Sequence, residues 1–593
     1  MKESENSILS SVRALLDEDR LDALYISGTD PHRSEYLCPH WQVRRFVSRF
    51  SGSYGEVVIT RDDALLWTDT RYFLQAEEEL KGSGFRLMKL RVPDAVTPDR
   101  WLSRNLPQQA RVGVDLFSLP LDTYRTLSES LKNLKASLVP SSRIIPEVWK
   151  ERPPLPANPI FEVSRKVAGA SRLEKASRIR EFLDGLKADF TVISVLDDLA
   201  WSFNLRGSDV PYNPVFLGYA VIGKACSYLF VQPGTLPRSL TTKMEREGIT
   251  ISEYSRFYDF LGTFEGQTAY LDPSVVNSAI SLEISRKCTV LEGTSIPALF
   301  KSRKNDTELE GIRQAMRSDG VAMVRFLWWM KHEAWKSELT EFTVSRQLKQ
   351  LRAMQAGFRG ESFPSIVGYK AHGAIVHLMA EANQALPLER EGVLLVDSGG
   401  QYLTGTTDIT RTIALGPVTE SQKRDFTLVL KGVIALSTVH FPYGTRGIHL
   451  DILARQALWQ HGLNYGHGTG HGVGHFLNVH EGPAAIRQEW NPHILEPGMV
   501  LSNEPGIYRT GKYGIRTENM MVCLEKETTE FGRFLGFETL TLCPVDLDLV
   551  IPDMLTPGER SWLNSYHASV REKLTPLLPP YLAAFLGELT AEI

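Results

Sequence analysis

The chain has 593 residues, 42% of them hydrophobic and 23% charged, with 66 basic against 70 acidic side chains for a net charge of −4. That length exceeds one hydrophobic core and implies about two to four domains, while the near-neutral balance speaks against a nucleic-acid or membrane-surface role. Five scattered cysteines without CxxC spacing exclude a cysteine metal site and point to a reducing compartment.

The opening MKESENSILSSVRALL is polar and mixed in charge, an amphipathic helix start and not a signal peptide. No apolar run approaches the ~18 to 20 residues of a membrane span, so a cytoplasmic protein is expected. Up to about residue 140, short apolar runs at Ala23–Ile26, Val57–Thr60, Ala64–Trp67 and Val112–Asp115 alternate with helical stretches, one opening across Thr68–Phe73. This is the pattern of an α/β domain. Arg44, Arg45 and Arg49 beside Trp41 and Phe46 read as a basic edge or domain contact, with a binding patch as the alternative.

Lys150–Pro156 is proline-rich and extended, a linker signal. A second α/β block follows. It has a strand at Thr191–Ser194, a turn-rich loop at Arg206–Pro214 and a hairpin from Tyr219–Ile222 to Ser227–Val231. The two blocks share size and alternation, which predicts a structural repeat without a residue-level match. A basic linker, Lys301–Asp306, then leads into a long helix for which Thr307 and Glu310 form a capping-box pattern. Domain boundaries are expected at 1–148, 149–303 and 304–593.

The third segment carries the chemistry. A buried strand, Val393–Val396, ends on Asp397, and Ser398, Gly399 and Gly400 turn the chain. A second extended piece puts Asp408, Thr410 and Thr412 on one face. Two carboxylates eleven residues apart on paired strands would repel, unless one were protonated or a cation lay between them. Helices are expected from Glu420 to about Leu436, capped by Thr419 and Gln422, and near Leu450 to Gln460.

Between Gly466 and Gly474 every second residue is glycine. If extended, this piece places His467, Thr469, His471 and His475 on one face, with a bare face that admits another backbone or a substrate. The spacing matches neither GxGxxG nor a P-loop. Glu504 and Glu518 are expected on the two strands of a second hairpin turning near Gly511, where Arg516 shares a face with Glu518 and braces a carboxylate. Asp397, Asp408, His471, Glu504 and Glu518 together offer one imidazole and four carboxylates. Four carboxylates balance two divalent cations, ~3.5 to 4 Å apart, and leave room for a bridging hydroxide that attacks a polarised carbonyl. Oxygen-rich ligation favours manganese, magnesium, iron or cobalt over a thiolate-type zinc site. The residues alone thus read as a dinuclear hydrolase.

These motifs, VDSGGQYLTGTTDITRT, HGTGHGVGHFLNVHEGP, SNEPGIY and GIRTEN, resemble the pita-bread metallopeptidases, most closely the three-domain Xaa-Pro aminopeptidases. RRFVSRFSGSYGEVVIT, ALLWTDTRYFLQA and FNLRGSDVPYNPVF extend the resemblance over nearly the whole chain, and NVHEGP and DVPYNPVF are specific to that branch. The resemblance implies a mixed α/β (α+β) fold, with two creatinase-like α/β domains followed by a catalytic pita-bread domain. It implies two metal ions, most often Mn2+, with Asp397 on one, Asp408 and Glu518 bridging, and His471 and Glu504 on the other. Glu504 would pass a proton from the attacking water to the leaving proline nitrogen. His377 and His480 would contact substrate, with His377 also aiding proton transfer. His467 and Arg516 would stand behind the ligands or on the substrate side. The partners implied are peptides with proline second, in a homodimer, with no nucleic acid and no membrane. Leu378 after His377, and His372-Gly373 before it, depart from the usual tyrosine and asparagine-glycine. A prolidase restricted to dipeptides is the near alternative, opposed by chain length and NVHEGP. A silent pita-bread binding module is the distant one, opposed by the complete ligand set.

Overall fold

The structure, a computed structural model, describes residues 2–378, 382 and 384–593, with side chains from residue 7 onward. It divides into two compact units, Met1–Ser164 with Ala170–Leu299, and Arg165–Gly169 with Phe300–Ile593.

The first unit contains two six-stranded sheets. One runs Arg86–Lys89, Ala64–Thr68, Glu56–Thr60, Ala23–Ile26, Arg111–Val114, Ser137–Pro140. The other runs Ile249–Glu253, Ser227–Val231, Gly218–Gly223, Phe190–Ile193, Thr268–Leu271, Thr289–Glu292. From the first-named edge, both pair parallel, antiparallel, antiparallel, parallel, parallel. The blocks are therefore one topology used twice. The apolar inner strands are legible in the sequence. The outermost strands Arg86–Lys89 and Ser137–Pro140 are exposed at both ends and carry no continuous apolar run, so periodicity does not reveal them. Arg44 belongs to no binding patch. It is buried and donates to the Gly52 and Gly55 carbonyls, which ties its helix to the following loop.

Among the described residues the second unit packs helices around four sheets, two of which carry the site. A three-stranded sheet joins Ile366–Tyr369, Val393–Ser398 and Ile409–Ala414. A six-stranded sheet runs Phe441–Pro442, Gly532–Thr539, Asn519–Thr529, Val500–Asn503, Gly470–Gly472, Glu481–Ile486. The long helix Asp306–His332 buries Leu309, Ile312, Met316 and Met323, the stripe that helical spacing demands. Its capping box is Asn305 with Glu308, two residues before the expected Thr307 and Glu310. Asn305 accepts from the Glu308 N–H while its own amide reaches the Ala168 carbonyl, and this second contact fixes the start of the helix. The helix Glu420–Thr438 has its expected Thr419–Gln422 cap. The basic segment before the long helix is not a solvated linker. Lys301 and Lys304 are buried, and both pair with the buried Glu481.

One buried ion pair holds the strand that ends in Asp397. Arg352, on the helix Glu341–Ala353, donates to both oxygens of Asp319 at 2.8 and 3.1 Å and to the Ser398 carbonyl at 3.4 Å. Replacing it strands a buried carboxylate, which costs about 3 to 5 kcal/mol. Arg352→Met is expected to lose stability of that size in urea unfolding of the full chain. An unchanged midpoint would remove Arg352 from this role.

Candidate metal centre

Four separate segments bring their acids and one imidazole to the same place. Asp397 lies in the central strand of the three-stranded sheet, its backbone opposite Ile366 on one side and Thr410 on the other. Asp408 directly precedes the partner strand, so the acids approach across the hairpin as the spacing requires. His471 sits in the short strand Gly470–Gly472. Glu504 follows Val500–Asn503 and Glu518 precedes Asn519–Thr529, two strands that pair at Asn503 and Asn519. The expected second hairpin exists as Gly506–Arg509 with Tyr513–Arg516, but both acids stand just outside it, at its base. There the chain changes from one sheet to the other, and the carboxylates are left to face inward.

The glycines around His471 serve close approach of backbone. A Cβ on Gly470 would meet the Ser502 carbonyl at 2.1 Å, and one on Gly472 the Glu481 carbonyl at 2.3 Å. The extended face expected from Gly466 to His475 is broken, because only Gly470–Gly472 is strand. His475 instead turns away and is buried against the long helix, its Nε2 3.1 Å from where a Gly311 Cβ would stand. His467 stays near the ligands. Its Nδ1 donates to the Gly468 carbonyl at 2.8 Å, so its Nε2 accepts from the Tyr508 hydroxyl at 2.7 Å.

His471 Nε2 lies 3.4 Å from Asp408 and 3.5 Å from Glu504. Its Nδ1 donates to the Gly472 carbonyl at 2.9 Å, which leaves Nε2 directed at the acids. One ligand atom each from Asp408, His471 and Glu518 lie within 4.8 Å of one another. Thr410 donates to Glu518 at 2.8 Å, and the Ser502 hydroxyl to Glu504 at 3.2 Å. Arg516 does brace a carboxylate, but that of Asp397 at 2.5 Å and not its neighbour Glu518. Its other contacts are Tyr508 at 2.5 Å and Thr410 at 3.1 Å, so a chain of hydrogen bonds runs from Asp397 through Arg516 and Tyr508 to His467. The His480 ring stands perpendicular to that of His471, 4.3 Å between centroids. The neighbouring Glu481 is the residue held by Lys301 and Lys304. His377 is half-buried in the turn after the short helix Lys370–Ala374. That helix meets the Arg516 strand so closely that a Gly514 Cβ would overlap the Gly373 carbonyl. Met379 and Ala380, which complete the GAIVHLMA motif, lie outside the described residues. Thr410 shares the Asp408 face by period-two spacing and was legible as a site residue. Ser502, Tyr508 and Lys304 have no local sequence signal.

The electrostatics call for positive charge. Burial pushes the Asp397 carboxyl up, with Arg516 pulling down and Asp408 pushing up. Burial and the neighbouring acids hold Glu518 well above the carboxylate range. Glu504 is pushed up to about 7 by burial, against the pull of His471 and Arg516. Burial opposes protonation of His471, but its hydrogen bond to Asp408 and the Glu504 charge raise it to about 9. Asp397 Oδ1 and Glu518 Oε1 are buried and, among the described residues, have no hydrogen-bond partner. Hard oxygen donors, orphaned lone pairs and one correctly presented imidazole nitrogen fit divalent cations.

Residues 310–525 match the model of metallopeptidase family M24 and 533–593 that of its C-terminal region. Residues 9–148 and 151–308 each match a creatinase/prolidase N-terminal domain. The chain is 39% identical over 584 residues to a probable Xaa-Pro aminopeptidase P of Laccaria bicolor, covering 96% of this chain and 90% of that protein. It is 39% identical over 590 residues to Xaa-Pro aminopeptidase 1 of Dictyostelium discoideum, covering 96% and 93%. The X-prolyl aminopeptidase of Caenorhabditis elegans, described as a cytosolic enzyme with a di-nuclear active site, superposes with a TM-score of 0.95. Its sequence identity is 33%, and the match covers 99% of this chain and all of that one.

Metal binding here must expel protons. At pH 7 His471, raised to about 9, is protonated, and Glu504, near 7, is about half so. Ligation needs the neutral imidazole and the carboxylate. Calorimetric titration of the stripped protein with Mn2+ at pH 7 is expected to release about one proton or more, with apparent affinity falling as pH falls. Heats independent of buffer ionisation would contradict this arrangement.

Proposed function

The chain belongs to metallopeptidase family M24 as an Xaa-Pro aminopeptidase, and from that premise we propose that Asp397, Asp408, His471, Glu504 and Glu518 hold its two divalent ions, that these are Mn2+, and that it works as a cytoplasmic homodimer. The enzyme hydrolyses the bond between an N-terminal residue and a following proline. The observation that carries the site assignment is the convergence of one imidazole, three buried carboxylates and the half-buried Glu504 from four segments. Oxygen-dominated donors support manganese. The cytosolic description of the worm enzyme supports the location, as does the absence of disulfides among the five cysteines. Among the described residues no helix is long and apolar enough to cross a membrane.

When bound, the ions supply a water of lowered pKa and positive charge for the scissile carbonyl. The remaining work falls to the side chains. Glu504, held by the Ser502 hydroxyl, accepts the proton of the attacking water and returns it to the proline nitrogen, whose departure requires it. His480, against the His471 ring, stands near the scissile carbonyl, and His377 contacts substrate and aids proton transfer. Arg516 favours the ionised form of Asp397 and orients it, while Tyr508 couples it to His467. The paired lysines fix Glu481 and with it the backbone bearing His480.

Release of the first residue from Xaa-Pro-Yaa tripeptides is expected, lost on chelation and restored best by Mn2+. Dipeptides should be poor substrates, which separates the enzyme from a prolidase. Glu504→Gln should lower kcat by roughly 10²- to 10⁴-fold. A full rate in that variant would end the proton-transfer role. His480→Ala should reduce kcat/KM while metal content, read by elemental analysis, stays at the wild-type level.

A further inference from the structure

In the first sheet, the strands Ala23–Ile26, Arg111–Val114 and Ser137–Pro140 are parallel, and at their carboxyl ends lies a cavity of about 170 Å³. After Ala23–Ile26 the chain builds toward one edge, through Glu56–Thr60, Ala64–Thr68 and Arg86–Lys89. It then returns to add Arg111–Val114 on the other side. The crevice between the first and last of these is a topological switch point, where open α/β sheets bind ligands. In the second sheet the equivalent strand end, Ser194, is covered: its carbonyl bonds the buried His32 ring at 2.8 Å.

The open crevice is lined by groups of both charges. Arg152 lies against Trp41 and Trp149, 4.9 and 5.9 Å from their ring centroids. Its Nε donates to the His40 carbonyl at 2.8 Å, while among the described residues its terminal nitrogens have no protein partner. The Trp41 indole N–H and the Ser141 hydroxyl are buried and, among the described residues, have no hydrogen-bond partner, Ser141 being only 9% exposed. Asp115 lines the same cavity and is set by the Phe117 N–H at 3.1 Å and the Ser118 hydroxyl at 2.9 Å. Asp115 and Arg152 influence each other electrostatically, yet among the described residues no ion pair within 4.0 Å joins them. Three donors and one carboxylate thus line the same cavity. An empty cavity of ~150 Å³ accepts a six-carbon ring, so this one has room for a molecule of about that size.

We propose that this cavity binds a free α-amino acid with a small side chain, its carboxylate on Arg152, Trp41 and Ser141 and its ammonium on Asp115. The inference uses no part of the peptidase mechanism. It is tested by calorimetric titration of the full-length, metal-loaded protein with L-alanine, acetate and methylammonium. L-Alanine is expected to bind, with Asp115→Asn and Arg152→Gln each weakening it at least about tenfold, and acetate and methylammonium each binding at least about tenfold more weakly. Ser141→Leu, which fills the cavity, should abolish the same binding. Asp115→Asn changes charge without shape and carries the test if either other variant fails to fold. The proposal is overturned if L-alanine binding is unchanged in the folded variants, which would place it elsewhere. It is equally overturned if acetate binds as well as L-alanine, or if no heat appears up to about 10 mM.

Discussion

Three buried carboxylates, Asp397, Asp408 and Glu518, with the half-buried Glu504 beside them, are the constraint around which the second unit is built. Two like charges ~4 Å apart repel by about 4 kcal/mol at the effective dielectric of such sites. One guanidinium, that of Arg516, answers only part of this, through Asp397. Without further positive charge the acids take up protons, as the raised Glu504 and Glu518 carboxyls express. A divalent cation removes the conflict and turns the repulsion into affinity. The same crowding that makes the apo site uncomfortable makes the loaded one tight and electron-poor.

Holding such groups together requires a scaffold that does not yield. Each of these side chains sits on or beside a paired strand, and the pairs are locked at places where side chains are excluded. Gly470 and Gly472 let neighbouring strands pass within reach of His471, and Gly373 meets Gly514 backbone to backbone below Arg516. Arg411 adds a brace from beneath, donating to the Glu518 carbonyl at 2.6 Å and to Asn519 at 2.8 Å. These contacts fix carboxylate positions through the main chain, where few soft degrees of freedom remain.

The first unit uses one topology twice, but the two copies treat their strand ends differently. In the second sheet His32 closes over Ser194, and Ser295 bonds the Asp198 carboxylate. In the first, the corresponding crevice keeps opposite charges apart around an open space. Repetition of a fold thus preserves the sheet while leaving its loops free to specialise.

The residues proposed to hold the metals were picked out from local pattern in the chain. A strand ending in Asp397, a period-two face carrying Asp408 and Thr410, and alternating glycines around His471 are all short-range signals. The caps of the helix Glu420–Thr438 and the hairpin Gly218–Gly223 with Ser227–Val231 were readable for the same reason. Tertiary structure decided the partnerships. Arg516 chose Asp397, 119 residues away, over its near neighbour Glu518, and Lys304 crossed 177 residues to Glu481. His475 left the histidine face because the strand stops at Gly472. Periodicity specifies which face of an element a side chain occupies. Which distant element that face meets is set by packing and register among strands far apart in sequence, and no local pattern encodes that.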